Sequence, residues 1–433
     1  MSFNSLIQRY ANPSKKFLGK LETGIVILII IYHANVWWHP QTTDIGTITS
    51  AGSASIINLG IYLFTLICIL LNWKRFCYVL TRDKLLLLLV GIALFSIFWS
   101  SYPDRAMNTA KGMMRVTFFG VYLSTRYSLK EQLYLLAWVS GIVAILSLAV
   151  CLGIPSQGIQ ASNLGDSVGW RGLLPHKNHF GRLMVFSSGS FLLLSLSSSK
   201  GKKFLWVGFG LCLSLLFLSN SKTALLAFIL TLILLPFWIM LRQKSFNVRM
   251  FLIHIATLLI GFIFVGTAYY AEPILNSMGK DLTWNGRVPL WTILLRKIFD
   301  KPWIGYGYEG FWSRDQYTDI GREMAYGWGG GHAHNGFLEI ILDLGLIGLI
   351  ILLLGLLRSY WRAVNYARLT KSIEGLWSLQ VLTIIMFVNI AISSTFLVPT
   401  FIWMLYVSIT CTLALQYDRQ KRSQSRHLRK YAT

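Results

Sequence analysis

The run Gly329-Gly330-Gly331-His332-Ala333-His334-Asn335 leads straight into Gly336-Phe337-Leu338-Glu339. Its glycines permit unusual backbone angles, and Asn335 suits the cap of a following helix. A helix start offers free backbone N–H groups to an anion. Helical spacing puts Asn335, Glu339 and Asp343 on one face, so a polar stripe descends from the histidines. At the mouth of that stripe, His334 suits proton uptake from a sugar hydroxyl or stabilisation of a departing phosphate. A plain structural hydrogen bond is the alternative role for a lone histidine. His332 and His334 are two residues apart with no suitably placed third ligand, so no metal site is expected.

A second group of residues is basic. Arg171, His176, Lys177, Asn178 and Arg182 lie in a polar loop and at the start of the apolar run it enters. Ser219-Asn220-Ser221-Lys222-Thr223 separates two further runs, Arg115 lies inside another, and Arg287 falls in a long stretch rich in Trp, Tyr and Gly. An Arg or Lys at the centre of a membrane helix costs about 2.5–3.5 kcal/mol, so such residues line polar cavities or snorkel to the headgroups. Asn178 also reads as a simple cap, His176 as a surface residue and the segment around Lys222 as a plain turn. Several cations converging on one cavity suit an anion, and phosphate is the usual one: Arg offers a planar fork and Lys a compact charge. A lipid-linked diphosphate fits, because its tail can stay in the bilayer.

The elements that must position these groups are membrane helices. Hydrophobic residues make up 54% of the 433-residue chain and charged ones only 13%, about half of what a soluble chain carries. Unbroken Leu/Ile/Phe runs exclude an alternating β-barrel, and backbone groups in lipid must pair internally. The sequence therefore reads as an all-α integral membrane protein of about 10–12 transmembrane helices. The expected spans are 21–38, 52–73, 85–100, 109–125, 131–152, 177–198, 204–219, 223–241, 250–270, 336–357, 375–394 and 400–417. Most of the 40 Lys and Arg residues fall at every second boundary, which predicts both termini in the cytoplasm. That pattern accounts for the net charge of +23 without a nucleic-acid partner. The five cysteines lie in or beside apolar runs, with neither zinc spacing nor a disulfide framework. No cleavable signal stands out, so the first span is expected to remain as an anchor.

One membrane domain over 1–433 is expected, with a basic cytoplasmic tail at 418–433 and a long folded outer loop at 271–335 containing short helices. Within that loop Val288, Trp291, Leu295 and Ile298 recur at helical spacing, which predicts a short amphipathic helix at the membrane surface. Lys301-Pro302-Trp303-Ile304-Gly305-Tyr306-Gly307 reads as a stop and turn.

The segments Gly286-Arg287 to Trp291, 302–307, His334 to Glu339 and Asp343-Leu344-Gly345-Leu346-Ile347-Gly348 together resemble the O-antigen ligase and polymerase family. Pro175-His176-Lys177-Asn178 and Ser219 to Thr223 resemble its earlier motifs, and the combination is most similar to its exopolysaccharide polymerase branch. The likeness runs over roughly residues 95–410. It implies a glycosyltransferase in the bacterial plasma (inner) membrane, working on the outer face with an undecaprenyl-diphosphate-linked oligosaccharide donor and no metal or nucleotide sugar. By carry-over, Arg287 and Lys222 hold the diphosphate and His334 activates the acceptor glycan's hydroxyl, with Arg171, Lys177 and Arg182 supporting. Lys222 stands where the family more often has Arg. His332, Asn335, Glu339, His176, Asn178 and Arg115 are expected to support the site.

Polymerisation, with other polysaccharide assembly proteins as partners, is the leading expectation. Ligation to lipid A-core or protein is the alternative. A transporter or flippase is the rival from another class, as is a non-catalytic assembly partner. The brief middle inside loop near Lys200 and the long late outer loop weigh against two transporter halves.

Overall fold

The computed structural model describes residues 13–36, 49–161, 168–197, 201–243, 287–312, 320, 332–391 and 396–431. Its helices are α1 (Pro13–His33), α2 (Thr49–Leu71), α3 (Trp73–Leu80), α4 (Lys84–Phe95), α5 (Pro103–Arg126), α6 (Leu129–Gly153) and α7 (Lys177–Ser197). They continue with α8 (Lys202–Leu218), α9 (Lys222–Gln243), α10 (Arg287–Asp300), α11 (Gly336–Thr370), α12 (Ile373–Ala391) and α13 (Phe401–Tyr431). Each expected span falls on a helix except 250–270, which lies outside the described residues. By length and apolarity, however, only 5 described helices qualify as spans, or 6 if the bent pair α2/α3 is one crossing. The helical membrane architecture is thus as expected, while the described helices do not confirm the count of 10–12 crossings. α4 is short, and α5 carries Asp104, Arg105, Lys111 and Arg115 along its length.

Helix α7 is the pillar of the bundle, packing against α6, α8, α9 and α12. Small residues let it do so. A Cβ on Gly189 would sit 2.4 Å from the Gln380 amide nitrogen, and one on Gly208 of α8 would sit 2.6 Å from the Phe191 ring. Ser187 Oγ donates to Ser140 Oγ at 2.8 Å, and Trp377 Nε1 donates to Ser190 Oγ at 3.1 Å. Small residues and interhelical hydrogen bonds are what bind helices in lipid, where burial of apolar surface drives little. α13 is held in the same way: Gln132 donates to Thr412 Oγ1 at 2.8 Å, and Trp403 donates to Thr117 Oγ1 at 2.8 Å.

Two ion pairs lie at the end of the bundle opposite the histidines. Arg362 meets Asp83 at 2.6 Å with both side chains buried, and Asp83 also caps α4 by accepting from Leu86 N–H. Arg126 meets Glu22 at 2.6 Å, which ties α5 to α1.

α11 is broken at Gly345, whose φ of 65° and ψ of −167° interrupt the helix within its apolar length. Residues 302–307 fill the break with backbone. Tyr306 and Gly307 N–H donate to the carbonyls of Leu342 and Asp343 at 2.8 and 2.9 Å. Leu346 and Ile347 N–H donate to the carbonyls of Pro302 and Trp303 at 2.8 and 3.2 Å. The four backbone groups orphaned by the break are therefore paired, as a low-dielectric setting requires. The stretch predicted as a plain stop and turn is thus a clamp. Gly345 is needed for both its angle and its bareness, since a Cβ there would lie 2.2 Å from the Trp303 carbonyl.

α10 forms as expected, but its buried face differs from the predicted one. Leu290, Ile293, Leu294 and Ile298 are buried, whereas Leu295 is exposed, because the helix packs on α11 beside Leu342 instead of lying free on a surface.

Two outcomes follow. Gly345→Ala should free the clamp at a cost of about 1–3 kcal/mol, so chymotrypsin cuts after Tyr306 roughly tenfold faster in a timed digest. Arg362→Ala leaves Asp83 buried and unpaired and should lower unfolding stability by about 3–5 kcal/mol in a detergent denaturation titration.

Candidate functional site

The entrance to α7 is built by a polar loop folded against the turn at 219–221. Short strands β1 (Ile159–Gln160) and β2 (Gly169–Trp170) pair antiparallel and close the loop. His176 Nδ1 accepts from Asn178 N–H at 3.1 Å, and Gln160 Oε1 accepts from Lys177 N–H at 3.0 Å, so α7's first donors are capped. Asn178 Oδ1 accepts from Ser221 Oγ at 2.9 Å while its carbonyl accepts from Arg182 Nε at 3.2 Å. One asparagine thereby fixes both the start of α9 and the Arg182 guanidinium. Arg171 Nε donates to Gln157 O at 2.9 Å, which points this guanidinium at the turn before β1.

The second component is the loop before α11. Asn335 Oδ1 accepts from Phe337 and Leu338 N–H at 2.9 and 3.3 Å, the cap expected from sequence. Glu339 is buried and accepts twice, from Ala333 N–H at 2.5 Å and from Trp312 Nε1 at 2.8 Å. Ala333 O accepts in turn from Trp291 Nε1 at 2.8 Å. Both polar groups of Ala333 are therefore pinned, and its neighbours His332 and His334 project with ring centroids 4.0 Å apart. His334 holds a left-handed backbone at φ 52°. Burial, then Arg287 and Arg182, push the pKa of His332 below the usual histidine range, so its ring is neutral at physiological pH. Burial also lowers the Arg287 guanidinium from its usual value.

The third component is a cavity of about 440 Å³ between α1, α5, α7 and residues 398–402. Its polar lining is Tyr32, His33, Asn35, Arg115, His179, Arg182 and Thr400. Arg115 lies midway along α5, about 18 Å from its start by helical rise, with its guanidinium 5.9 Å from the Tyr32 ring. The buried Tyr308 hydroxyl donates to Leu397 O at 2.5 Å, joining the clamp on α11 to the cavity wall.

The residues singled out from sequence thus divide into three sets. Arg115 and Arg182 share the cavity, while Arg287, His332, His334, Asn335 and Glu339 meet at the head of α11, within electrostatic reach of Arg182. Lys177 and Lys222 start adjacent helices, the first buried and the second exposed. Arg171, His176 and Asn178 hold the entrance loop together. Gly329 to Gly331 lie outside the described residues. His33, His179, Tyr32, Trp291 and Trp312 had no place in the sequence reading of the site. A histidine ending an apolar run, or a tryptophan far along the chain, carries no local mark of the cavity it lines or the loop it pins.

Glu339→Gln puts an amide N–H where a backbone N–H or Trp312 now donates, at a cost of about 1–3 kcal/mol. The loop should open, and carbethoxylation of His334 by diethyl pyrocarbonate, followed by mass spectrometry, should run about tenfold faster.

Comparison with known proteins adds two findings. Residues 207–353, which include Lys222, Arg287, His334, Glu339 and the Gly345 break, match the family described as O-Antigen ligase. The chain is also similar to the exopolysaccharide production protein ExoQ of Rhizobium meliloti (strain 1021), at 26% identity over 283 residues. That alignment takes in 62% of this chain and 62% of the relative's length. The resemblance read from the motifs therefore holds: this is a helical membrane protein whose residues 207–353 match the O-antigen ligase family and which is distantly similar to an exopolysaccharide production protein.

Proposed function

We propose that the chain is a membrane glycosyltransferase that polymerises oligosaccharide repeat units carried on undecaprenyl diphosphate. The observation supporting this most is the meeting of two chemistries at one end of the bundle. A cavity walled by Arg115 and Arg182 lies beside a pinned histidine pair and Arg287.

In this reading the acceptor hydroxyl oxygen attacks the donor's anomeric carbon. A new carbon–oxygen bond forms as the anomeric bond to the diphosphate oxygen breaks, and the electron pair leaves with the lipid diphosphate. His334 takes the hydroxyl proton, a contribution of about 10²–10⁴-fold for a positioned base. With the His332 pKa held down by burial and the nearby arginines, the proton taken up by His334 meets no like charge on its neighbour. Arg182 and Arg287 offset the charge that grows on the leaving group, where fixed cations in a water-poor site act most strongly. Lys222, at the exposed start of α9, contributes a flexible charge, and Lys177 contributes through its place at the start of α7. Glu339 is a positioning residue, because both its oxygens are engaged by Ala333 and Trp312. The site faces outward from the bacterial plasma membrane, and the basic end faces the cytoplasm, as the charge pattern favours.

Ligation to lipid A-core or a protein is the second reading, favoured by the description of the matching family as O-Antigen ligase. The two are separated with purified protein and a lipid-diphosphate-linked repeat unit, with products run on a gel. Polymerisation gives a ladder that survives a chelator. A single shifted band appearing only with lipid A-core points to ligation, and no product with either acceptor contradicts both. In the same assay Lys222→Ala should slow donor use severalfold and Lys222→Arg should restore it; normal turnover of Lys222→Ala removes this residue from the site.

A further inference from the structure

Helices α1 and α2 leave an apolar groove of about 450 Å³ between them, lined by Ile25, Leu28, Ile29, Ile57, Ile61 and Phe64. Tyr32 stands at its outer end and belongs to both the groove and the charged cavity. The tyrosine hydroxyl donates to Asn58 Oδ1 of α2 at 2.5 Å, so the two helices are bridged where the apolar and polar spaces meet. On the cavity side, buried His33 has an Nε2 with no hydrogen-bond partner among the described residues, and so does the Nε of Arg115. A buried polar atom without a partner costs about 1–3 kcal/mol, and two of them lining one cavity point to a ligand that supplies acceptors. A cationic pocket opening sideways onto an apolar groove matches one kind of molecule, an anionic headgroup on a long hydrocarbon chain.

We propose that the α1/α2 groove seats the first isoprene units of the lipid-diphosphate donor, with Arg115 and His33 receiving its diphosphate around Tyr32. This rests on the donor class argued above and adds a tail path and two headgroup ligands to it. The groove is open along the bilayer, so the donor slides in laterally from the membrane without its tail leaving lipid. Gly60 borders the groove on α2, and a Cβ built there meets nothing within 4 Å. A tryptophan at that position can therefore fill the groove without disturbing the bundle.

The test is photo-crosslinking of the full chain in nanodiscs. The probe is undecaprenyl diphosphate with a diazirine on its second isoprene unit, and adducts are mapped by mass spectrometry. Adducts should fall on Leu28, Ile57 and Phe64, and their yield should drop at least about tenfold in Gly60→Trp. Arg115→Ala should lower the yield to that of diazirine-tagged undecaprenol, which lacks the diphosphate. Adducts elsewhere, yields indifferent to Gly60→Trp, or equal labelling by undecaprenol would make the groove an ordinary lipid contact and overturn the proposal. If the diphosphate probe labels the groove as expected but the purified chain makes no glycan product, the transfer reading fails and the binding site stands. If the chain makes product while the groove stays unlabelled, the tail path alone fails.

Discussion

A helix that stops and restarts inside an apolar environment must find partners for the carbonyls and amides that its break leaves bare. At Gly345 those partners come from residues 302–307, through four backbone hydrogen bonds between segments about forty residues apart in sequence. Each bare group in hydrocarbon would cost several kcal/mol, so α11 cannot hold this shape without the clamp. Much of the site hangs from that joint. The clamp carries Tyr308, whose N–H donates to Ser96 Oγ and whose hydroxyl reaches Leu397, so the broken helix, α4's end and the cavity wall form one unit. It also fixes the C-terminal end of α10 through the Tyr306 hydroxyl on Lys297 O, and the first half of that helix carries Trp291 to Ala333. The histidine pair sits at the head of the outer half-helix, and its position is only as firm as the joint below it.

The division of labour across the site follows from what each helix can tolerate. Arg115 of α5 and Arg182 of α7 face one cavity, which is large enough to hydrate or pair them. The histidines sit on backbone that leaves helical geometry altogether, His334 at positive φ and Ala333 pinned at both its polar groups. Burial of Glu339 would be costly for an idle carboxylate. Two donors aimed at it turn it into an anchor for the loop that carries the histidines. The opposite end of the bundle carries Arg362–Asp83 and Arg126–Glu22, and a further pair, Arg105–Glu309, ties the start of α5 to the segment beside Trp312 at the histidine end.

Much of this was legible in the chain and some was not. Apolar runs located the helices, since composition alone decides that signal, and Asn335 announced its cap through residue type and position. Arg115 and Arg182 stood out because charge in an apolar run is expensive. The Gly345 break was invisible: Asp343-Leu344-Gly345-Leu346-Ile347-Gly348 reads as ordinary membrane helix, and the segment that stabilises its interruption lies far away in sequence. Leu295 was assigned to a buried face because helical spacing leaves the direction of the face open when several stripes are apolar. Arg171, His176 and Asn178 stand out as site residues by type, and the sequence did not announce the further bonds they make: Arg171 Nε to Gln157 O, His176 Nδ1 to the α7 backbone and Asn178 Oδ1 to Ser221. His33 and His179 were missed because only the assembled bundle brings the end of α1 and the start of α7 to one cavity.

The most direct measurement is a single-turnover comparison on purified protein that separates donor binding from glycan transfer in His334→Ala. With radiolabelled lipid-diphosphate donor pre-bound and acceptor in excess, binding should stay within about threefold of the unmodified protein. Transfer should fall by at least about 100-fold, the loss expected when a positioned base is removed. Transfer that persists within tenfold of the unmodified rate would show that the proton leaves by another route, and the histidine pair at the head of the broken helix would lose its place in the chemistry.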